Sequence, residues 1–255
     1  MAQFAACLAN NRKWLIFEKQ PKMVDFLDRC PYICNKFYTY AMDIKGVITG
    51  DIVDSSKINL ELRSGLIISI KDIAENLIRL SPLKMELFRG DSFQLIVDKP
   101  EMCLKIAILL RAGLKSMTPV VSDVLWDARV SVGIGEIAYT SDKIVVSDGE
   151  AFRFSGRGLD EIGKRRLVIK TKWEGIDDEF RISTPFVDDI VTGWTVAQAK
   201  TVFQALLYGQ SQKDIALCLG KTAQSVSKLL GTAKEELVES YLERYSLLVT
   251  ENLRK

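Results

Sequence analysis

The order of hydrophobic periodicities between residues 46 and 138 limits the fold more than any other feature of the chain. Residues 46–53 are a short, nearly continuous apolar run, as in a buried strand. Residues 56–80 then place Leu60, Leu62, Leu66, Ile67, Ile70, Ile73, Leu77 and Ile78 at helical spacing, over a length too great for a strand. Pro82 stops that helix. Residues 84–88 alternate, Arg89-Gly90-Asp91-Ser92 makes a turn, and 93–97 is a further strand, so the three segments read as a hairpin. Pro100 opens a helix to about Met117, with Cys103, Ile106, Ala107, Leu110 and Leu114 on one face. Residues 128–138 make a long strand. The order strand, helix, strand, strand, helix, strand is the split βαβ, ferredoxin-like arrangement. The expected fold class is α+β.

This order has a chemical consequence. The right-handed crossover makes the first two strands parallel, and the third lies between them, antiparallel to both. The C-terminal end of the first strand then neighbours the start of the third. Asp51 and Asp54 stand at the first place and Asp91 at the second. Converging carboxylates repel unless a cation lies between them, and Mg²⁺ takes few protein ligands beside phosphate and water. Asp51 and Asp91 are the expected metal ligands, with Asp54 as a third ligand or a cap. Ser55 and Ser56 follow at a helix start, where free amides favour phosphate. The competing reading is that Asp54, Ser55 and Ser56 only cap the helix.

Other chemistry is narrowed by what the chain lacks. It has no histidine, which removes Ser-His-Asp and Cys-His nucleophiles and any histidine-ligated metal. Its five cysteines are scattered and odd in number, as expected of reduced thiols in a reducing compartment. No run approaches the roughly 20 apolar residues of a membrane helix, and the N-terminus lacks the order of a signal peptide. The expected location is cytoplasmic, with no membrane partner. Residues 1–41 show no clean period, and a second methionine, Met42, precedes the first clear strand. The expectation is an extension over 1–41 and a core beginning at 42. Beyond the long strand, 149–162 reads as a helix, 166–171 as a strand, and 180–183 as a short strand pairing with it.

Residues 45–165 resemble the class III nucleotidyl cyclase catalytic domain and its palm-like relatives. The resemblance is carried by Gly50-Asp51-Ile52, Gly90-Asp91, Val132-Gly133-Ile134-Gly135, and Asp148-Gly149-Glu150-Ala151-Phe152 leading to Arg157. It implies that the two acids hold the metals and that Arg157 stabilises charge developing on phosphates. Arg153 stands where that family usually has asparagine, and Lys84 is one residue away from the base-selecting lysine. Those departures favour nucleotide binding, with Ser55, Ser56, Arg153 and Arg157 as contacts, over turnover. The competing reading of Arg153 and Arg157 is an ordinary helix face at i, i+4 spacing. The resemblance also implies a homodimer, since such active sites usually need two chains.

The C-terminal region carries a second pattern. Residues 195–208 form an amphipathic helix with Val196, Ala199, Val202, Phe203 and Leu206 as its buried stripe, ended by Gly209. Residues 211–220 and 222–230 follow with helix-turn-helix spacing: Ala216 small at a crossing, Gly220 in the turn, Val226 and Leu229 inward. Thr222 caps the second helix. The outward Ala223, Gln224, Ser225, Ser227 and Lys228 are short or polar and can approach bases and phosphates. The whole chain has a formal charge of only +2, but residues 195–234 carry five lysines against one aspartate. That local basic excess favours DNA over a packing hairpin. Residues 235–255 read as a helix with Leu237, Tyr241 and Leu248 on one side.

Taken together, residues 42–255 resemble the SatD family of bacterial proteins. The resemblance rests on residues 47–56, on Arg89-Gly90-Asp91-Ser92-Phe93-Gln94 and on Trp194-Thr195 before the helix-turn-helix. It implies a bacterial cytoplasmic regulator. The expected layout is an extension over 1–41, an α+β palm domain over 42–185 and an all-α DNA-binding domain over 190–255. The expected partners are DNA and a nucleoside triphosphate or signalling nucleotide with Mg²⁺. The alternative is an active nucleotidyl cyclase or nucleotidyltransferase.

Overall fold

The computed structural model describes residues 43–88, 90–139 and 148–255. Strand β1 (Asp43–Ile52) leads through a 3-10 turn (Ser55–Lys57) into α1 (Leu60–Leu77). β2 (Leu83–Phe88) and β3 (Ser92–Val97) follow, then a 3-10 turn (Pro100–Met102), α2 (Cys103–Ser116) and β4 (Ala128–Tyr139). The chain continues as β5 (Asp148–Gly149), α3 (Glu150–Asp160), β6 (Leu167–Thr171) and α4 (Glu174–Thr192). Four helices complete it: α5 (Val196–Tyr208), α6 (Gln212–Leu219), α7 (Ala223–Thr232) and α8 (Glu235–Leu253).

The strands lie in the order β2-β3-β1-β4-β5, with β6 also on β4. β3 is antiparallel to both β1 and β2, β4 is antiparallel to β1, and β6 is parallel to β4. The expected βαββαβ order is therefore present, and the class is α+β. Ile48, Ile52, Phe93, Leu95, Val97, Val130 and Val132 share one buried cluster with Leu66, Ile70 and Ile73 of α1. Their alternation with Val47, Thr49 and Asp51 follows from the two-residue period of a strand. The opposite face is covered by α3, where Val47, Ile96, Ile137 and Ala151 form a smaller cluster. Helix α3 sits so close to β4 that a Cβ at Gly133 would lie 2.2 Å from the Ala151 carbonyl oxygen. Glycine is needed there for the approach of two backbones.

Three expectations are corrected. Residues 180–183 are not a strand but lie inside α4, where Ile176, Phe180, Thr184, Val187 and Val191 are buried at helical spacing. In α8 the buried side chains are Val238, Tyr241, Leu242, Tyr245 and Val249, while Leu237 is 59% exposed. The boundary expected near 185–190 falls within α4, and Met42–Lys255 forms one compact unit. The cause is α2. Every residue from Cys103 to Ala112 except Lys105 is buried, and Leu104, Ile106, Ile108, Leu109 and Leu110 show no exposure. A helix that is apolar all round must be covered all round. The sheet covers one side, and α4, α5 and α8 contribute Val191, Val202, Leu206 and Tyr245 to the same cluster. Tyr245 Oη donates to the Pro100 carbonyl at 2.9 Å, and Phe180 stacks edge-on against Tyr241 and Tyr245.

Candidate functional site

Two regions hold the candidate residues, the C-terminal end of β1 and the α6–α7 turn. At the end of β1, Asp51 faces the α3 side of the sheet. Register places it opposite Ser92 on β3 and Arg129 on β4. The Ile52 amide donates to the Asp91 carbonyl at 2.9 Å, so the loops bearing Asp51, Asp54 and Asp91 do meet at one edge, as the strand order predicts.

Their carboxylates nevertheless have separate partners. Arg129 donates from Nε to Asp51 Oδ1 at 2.8 Å and from Nη2 to Oδ2. That bidentate hydrogen bond raises the Arg129 pKa. Asp54 adopts a left-handed conformation, φ 53°, makes no side-chain cap, and pairs with Lys57 at 2.8 Å. The Lys57 hydrogen bond holds the Asp54 carboxyl below its ordinary value. Ser55 Oγ donates to Asp91 Oδ2 at 2.9 Å, and Ser56 is exposed. Asp54, Ser55 and Ser56 do not cap α1. Asn59 does, accepting from the Glu61 amide.

Among the described residues, no three acidic or thiol side chains converge as a metal cluster. Both Asp51 oxygens face a guanidinium, so the carboxylates in this arrangement do not by themselves make a Mg²⁺ site. Arg153 pairs with Asp148 at 3.5 Å, with both side chains exposed. Arg157 is exposed on the last turns of α3 and forms no ion pair with a described residue. The Cβ positions of Gly133 and Gly158 fall on Ala151 and Ser131 respectively, so α3 runs along β4 toward the Asp51–Arg129 pair. Arg89 lies outside the described residues.

Sequence reading missed the charged cluster behind this edge. The Val53 amide donates to the Asp127 carbonyl at 2.9 Å. The Asp127 side chain, fully buried, accepts from Arg111 Nε at 2.9 Å, Arg111 Nη2 at 3.0 Å and Arg166 Nη1 at 2.8 Å. Lys115 Nζ stands 3.3 Å from it. Arg111 Nη1 reaches Asp188 at 2.7 Å, and Lys115 donates to the Thr192 carbonyl at 3.0 Å. Burial alone would raise the Asp127 pKa, but Arg111, Lys115 and Arg166 hold it down at about 2. On a helix whose apolar residues point in every direction, the available signal was Arg111 and Lys115, i and i+4. Such residues are buried only when paired.

The α6–α7 region has the expected helix-turn-helix form. Ser211 caps α6, Gly220 turns the chain at φ 61°, and Thr222 accepts from the Ser225 amide to cap α7. Ile215, Ala216, Val226 and Leu230 are buried. Leu230 thus takes much of the inward role expected of Leu229, which is half-buried. Thr222, Gln224, Ser227 and Lys228 are exposed and Ser225 is half-buried. Helix α5 carries a complete capping box between Thr195 and Gln198. Trp194, 2% exposed, donates from Nε1 to the Ala233 carbonyl at 2.8 Å and ties the end of α4 to the end of α7.

No family model and no curated protein matches the chain. Among solved structures, a bacterial light-regulated adenylyl cyclase is similar, at 12% identity and a TM-score of 0.37. The match covers 60% of this chain and 57% of that one, so the chain spans less than two thirds of its length. No helix among the described residues is long and apolar enough to cross a membrane.

Proposed function

We propose that the chain is a DNA-binding regulator that reads duplex DNA with α7. The observation supporting this is the α6–Gly220–α7 turn, capped at both helix starts and presenting Gln224, Ser227 and Lys228 outward. Short polar side chains on the first turns of a helix fit the major groove. Lys213, Lys221 and Lys228, each exposed in or beside this turn, would supply phosphate contacts. A retardation assay against a random duplex pool at low salt is the test, and absence of any shift would overturn the reading. Lys228→Ala is expected to weaken binding evenly across sequences and lower the salt slope by about 1. Gln224→Ala is expected to relax preference at one position, at a cost of about 1–3 kcal/mol.

A second reading places a nucleoside triphosphate with Mg²⁺ at the Asp51 edge, and it keeps the alternative of a nucleotidyl cyclase or nucleotidyltransferase. It is supported by the meeting of the Asp51 and Asp91 loops beside Arg129. The Asp51–Arg129 pair is partly exposed. A dication at this edge would have to displace Arg129 from Asp51, and the partial exposure of the pair lets water and phosphate take up the freed guanidinium. Calorimetric titration of ATP and Mg²⁺ into the full chain should give a binding heat that Asp51→Asn abolishes. No heat with any nucleotide would remove this reading and leave the DNA proposal standing. A cyclic or oligomeric product would convert it to the enzymatic alternative.

A further inference from the structure

We propose that Arg166 binds an oxyanion of the phosphate class, through the paired Nε–H and Nη2–H donors of its guanidinium. Arg166 immediately precedes β6, and its carbonyl accepts from the Val130 amide at 2.9 Å, beside the first residues of β4. The Val53 amide bonds to the Asp127 carbonyl at the same end. The loop after β1 and the start of β6 therefore both border the start of β4.

Three arginines meet carboxylates here, and their donors are used differently. A guanidinium offers Nε–H and Nη2–H as a parallel fork that fits two oxygens of one acceptor. Arg111 closes this fork on the two oxygens of Asp127, at 2.9 and 3.0 Å. Arg129 closes it on Asp51. Arg166 is turned the other way. It gives Nη1, at 2.8 Å, to the fully buried Asp127, and no described residue takes its fork. The side chain is 30% exposed. Asp54, whose carboxyl is held down first by Lys57 and also by the Arg166 charge, is paired with Lys57 at 2.8 Å.

The charge count favours an anion. Among the described residues, Arg111, Lys115 and Arg166 share Asp127 and Asp188, which leaves one positive charge in excess. Buried charge is tolerated when it is paired. Arg111 and Lys115 are fully buried, so an added anion can meet the excess only at Arg166. Asp127 also holds the guanidinium in one orientation, so little side-chain freedom is lost when a ligand binds. A phosphate group presents two oxygens to the fork and up to two negative charges where a carboxylate has one. The ligand assigned is therefore a phosphate monoester or a polyphosphate. The proposal does not rest on the nucleotide reading, because neither a base nor a metal enters it.

Calorimetric titration of inorganic pyrophosphate into the full chain, in EDTA at about 0.1 M salt, tests it. The wild type is expected to bind. Arg166→Gln should weaken binding at least about tenfold, as loss of a charged hydrogen bond does. Arg165→Gln removes an equal charge one residue away, from an exposed side chain, and should change binding less than about twofold. Arg166→Lys keeps the charge without the fork and should recover only part of the loss. Thermal melts without ligand should show each variant folded, since Asp127 keeps Arg111 and Lys115. A wild type that does not bind, unchanged binding in Arg166→Gln, equal loss in Arg165→Gln, full recovery in Arg166→Lys, or malonate binding as tightly as pyrophosphate would each overturn the proposal. Pyrophosphate binding with the expected losses, but no binding of ATP, would support it and remove the nucleotide reading.

Discussion

Replacing Asp127 by Ala should be among the most damaging single changes in this protein, costing about 3–5 kcal/mol. Its carboxylate sits between three cations, two of them, Arg111 and Lys115, fully buried. Asp188 alone would remain to balance them. Removing one member of a buried ionic group leaves uncompensated charge with no access to water, and the penalty exceeds what the group contributes when intact. Urea titration should show the midpoint falling with little change in slope. The control is Asp43→Ala, which removes an exposed partner of Lys45 at 3.5 Å and should cost under about 0.5 kcal/mol. The wild type should also show an acid limb. Asp127 titrates at about 2 in the fold against an ordinary 3.8. Its stabilisation is therefore complete above about pH 4 and drains as pH falls toward 2, by about 2 kcal/mol. Asp127→Asn should flatten that limb. A limb of unchanged depth would show that other carboxylates govern acid unfolding.

The same residues show what sequence alone conveys. Thr195, Gly209, Ser211, Gly220 and Thr222 mark helix ends through contacts with neighbours a few positions away, so the helix-turn-helix is legible by inspection. Strand order was legible too, because crossover handedness leaves few ways to thread βαββαβ. From that order alone Asp51 and Asp91 come together. Partner choice was not legible. Arg129 lies 78 residues from Asp51, and their pairing depends on the register of β1 against β4, which one slip would reverse. The strand expected at 180–183 illustrates a short window failing: Phe-Arg-Ile-Ser alternates, while the helical period is visible only across Glu174–Thr192.

A fragment ending at residue 189 will not fold, and residues 190–255 alone will not give a stable DNA-binding module. Both statements follow from α2, whose apolar side chains are assigned to one face by spacing yet are covered on every side. Removing α5 and α8 strips Val202, Leu206, Leu242, Tyr245 and Val249 from the cluster that holds Leu104, Ile108 and Leu109. Each large side chain returned to water loses about 1.5–3 kcal/mol, so uncovering four or five consumes the ~5–15 kcal/mol by which a typical domain is stable. The shorter piece is no better placed, because Tyr241 and Tyr245 are buried against Thr184 and Pro100, which it would lack. Near-ultraviolet circular dichroism and urea titration of both fragments should show no cooperative transition, whereas 42–255 should unfold in one step. A cooperative melt of either fragment would restore the two-domain layout. If the single step is observed, α7 is held rigidly to the sheet through α2 and Trp194. Three basic residues, Arg111, Lys115 and Arg166, join Asp127 behind the Asp51 edge to Asp188 or Thr192 on α4, so the edge and the helices packed on α2 share one ionic group as well as one core.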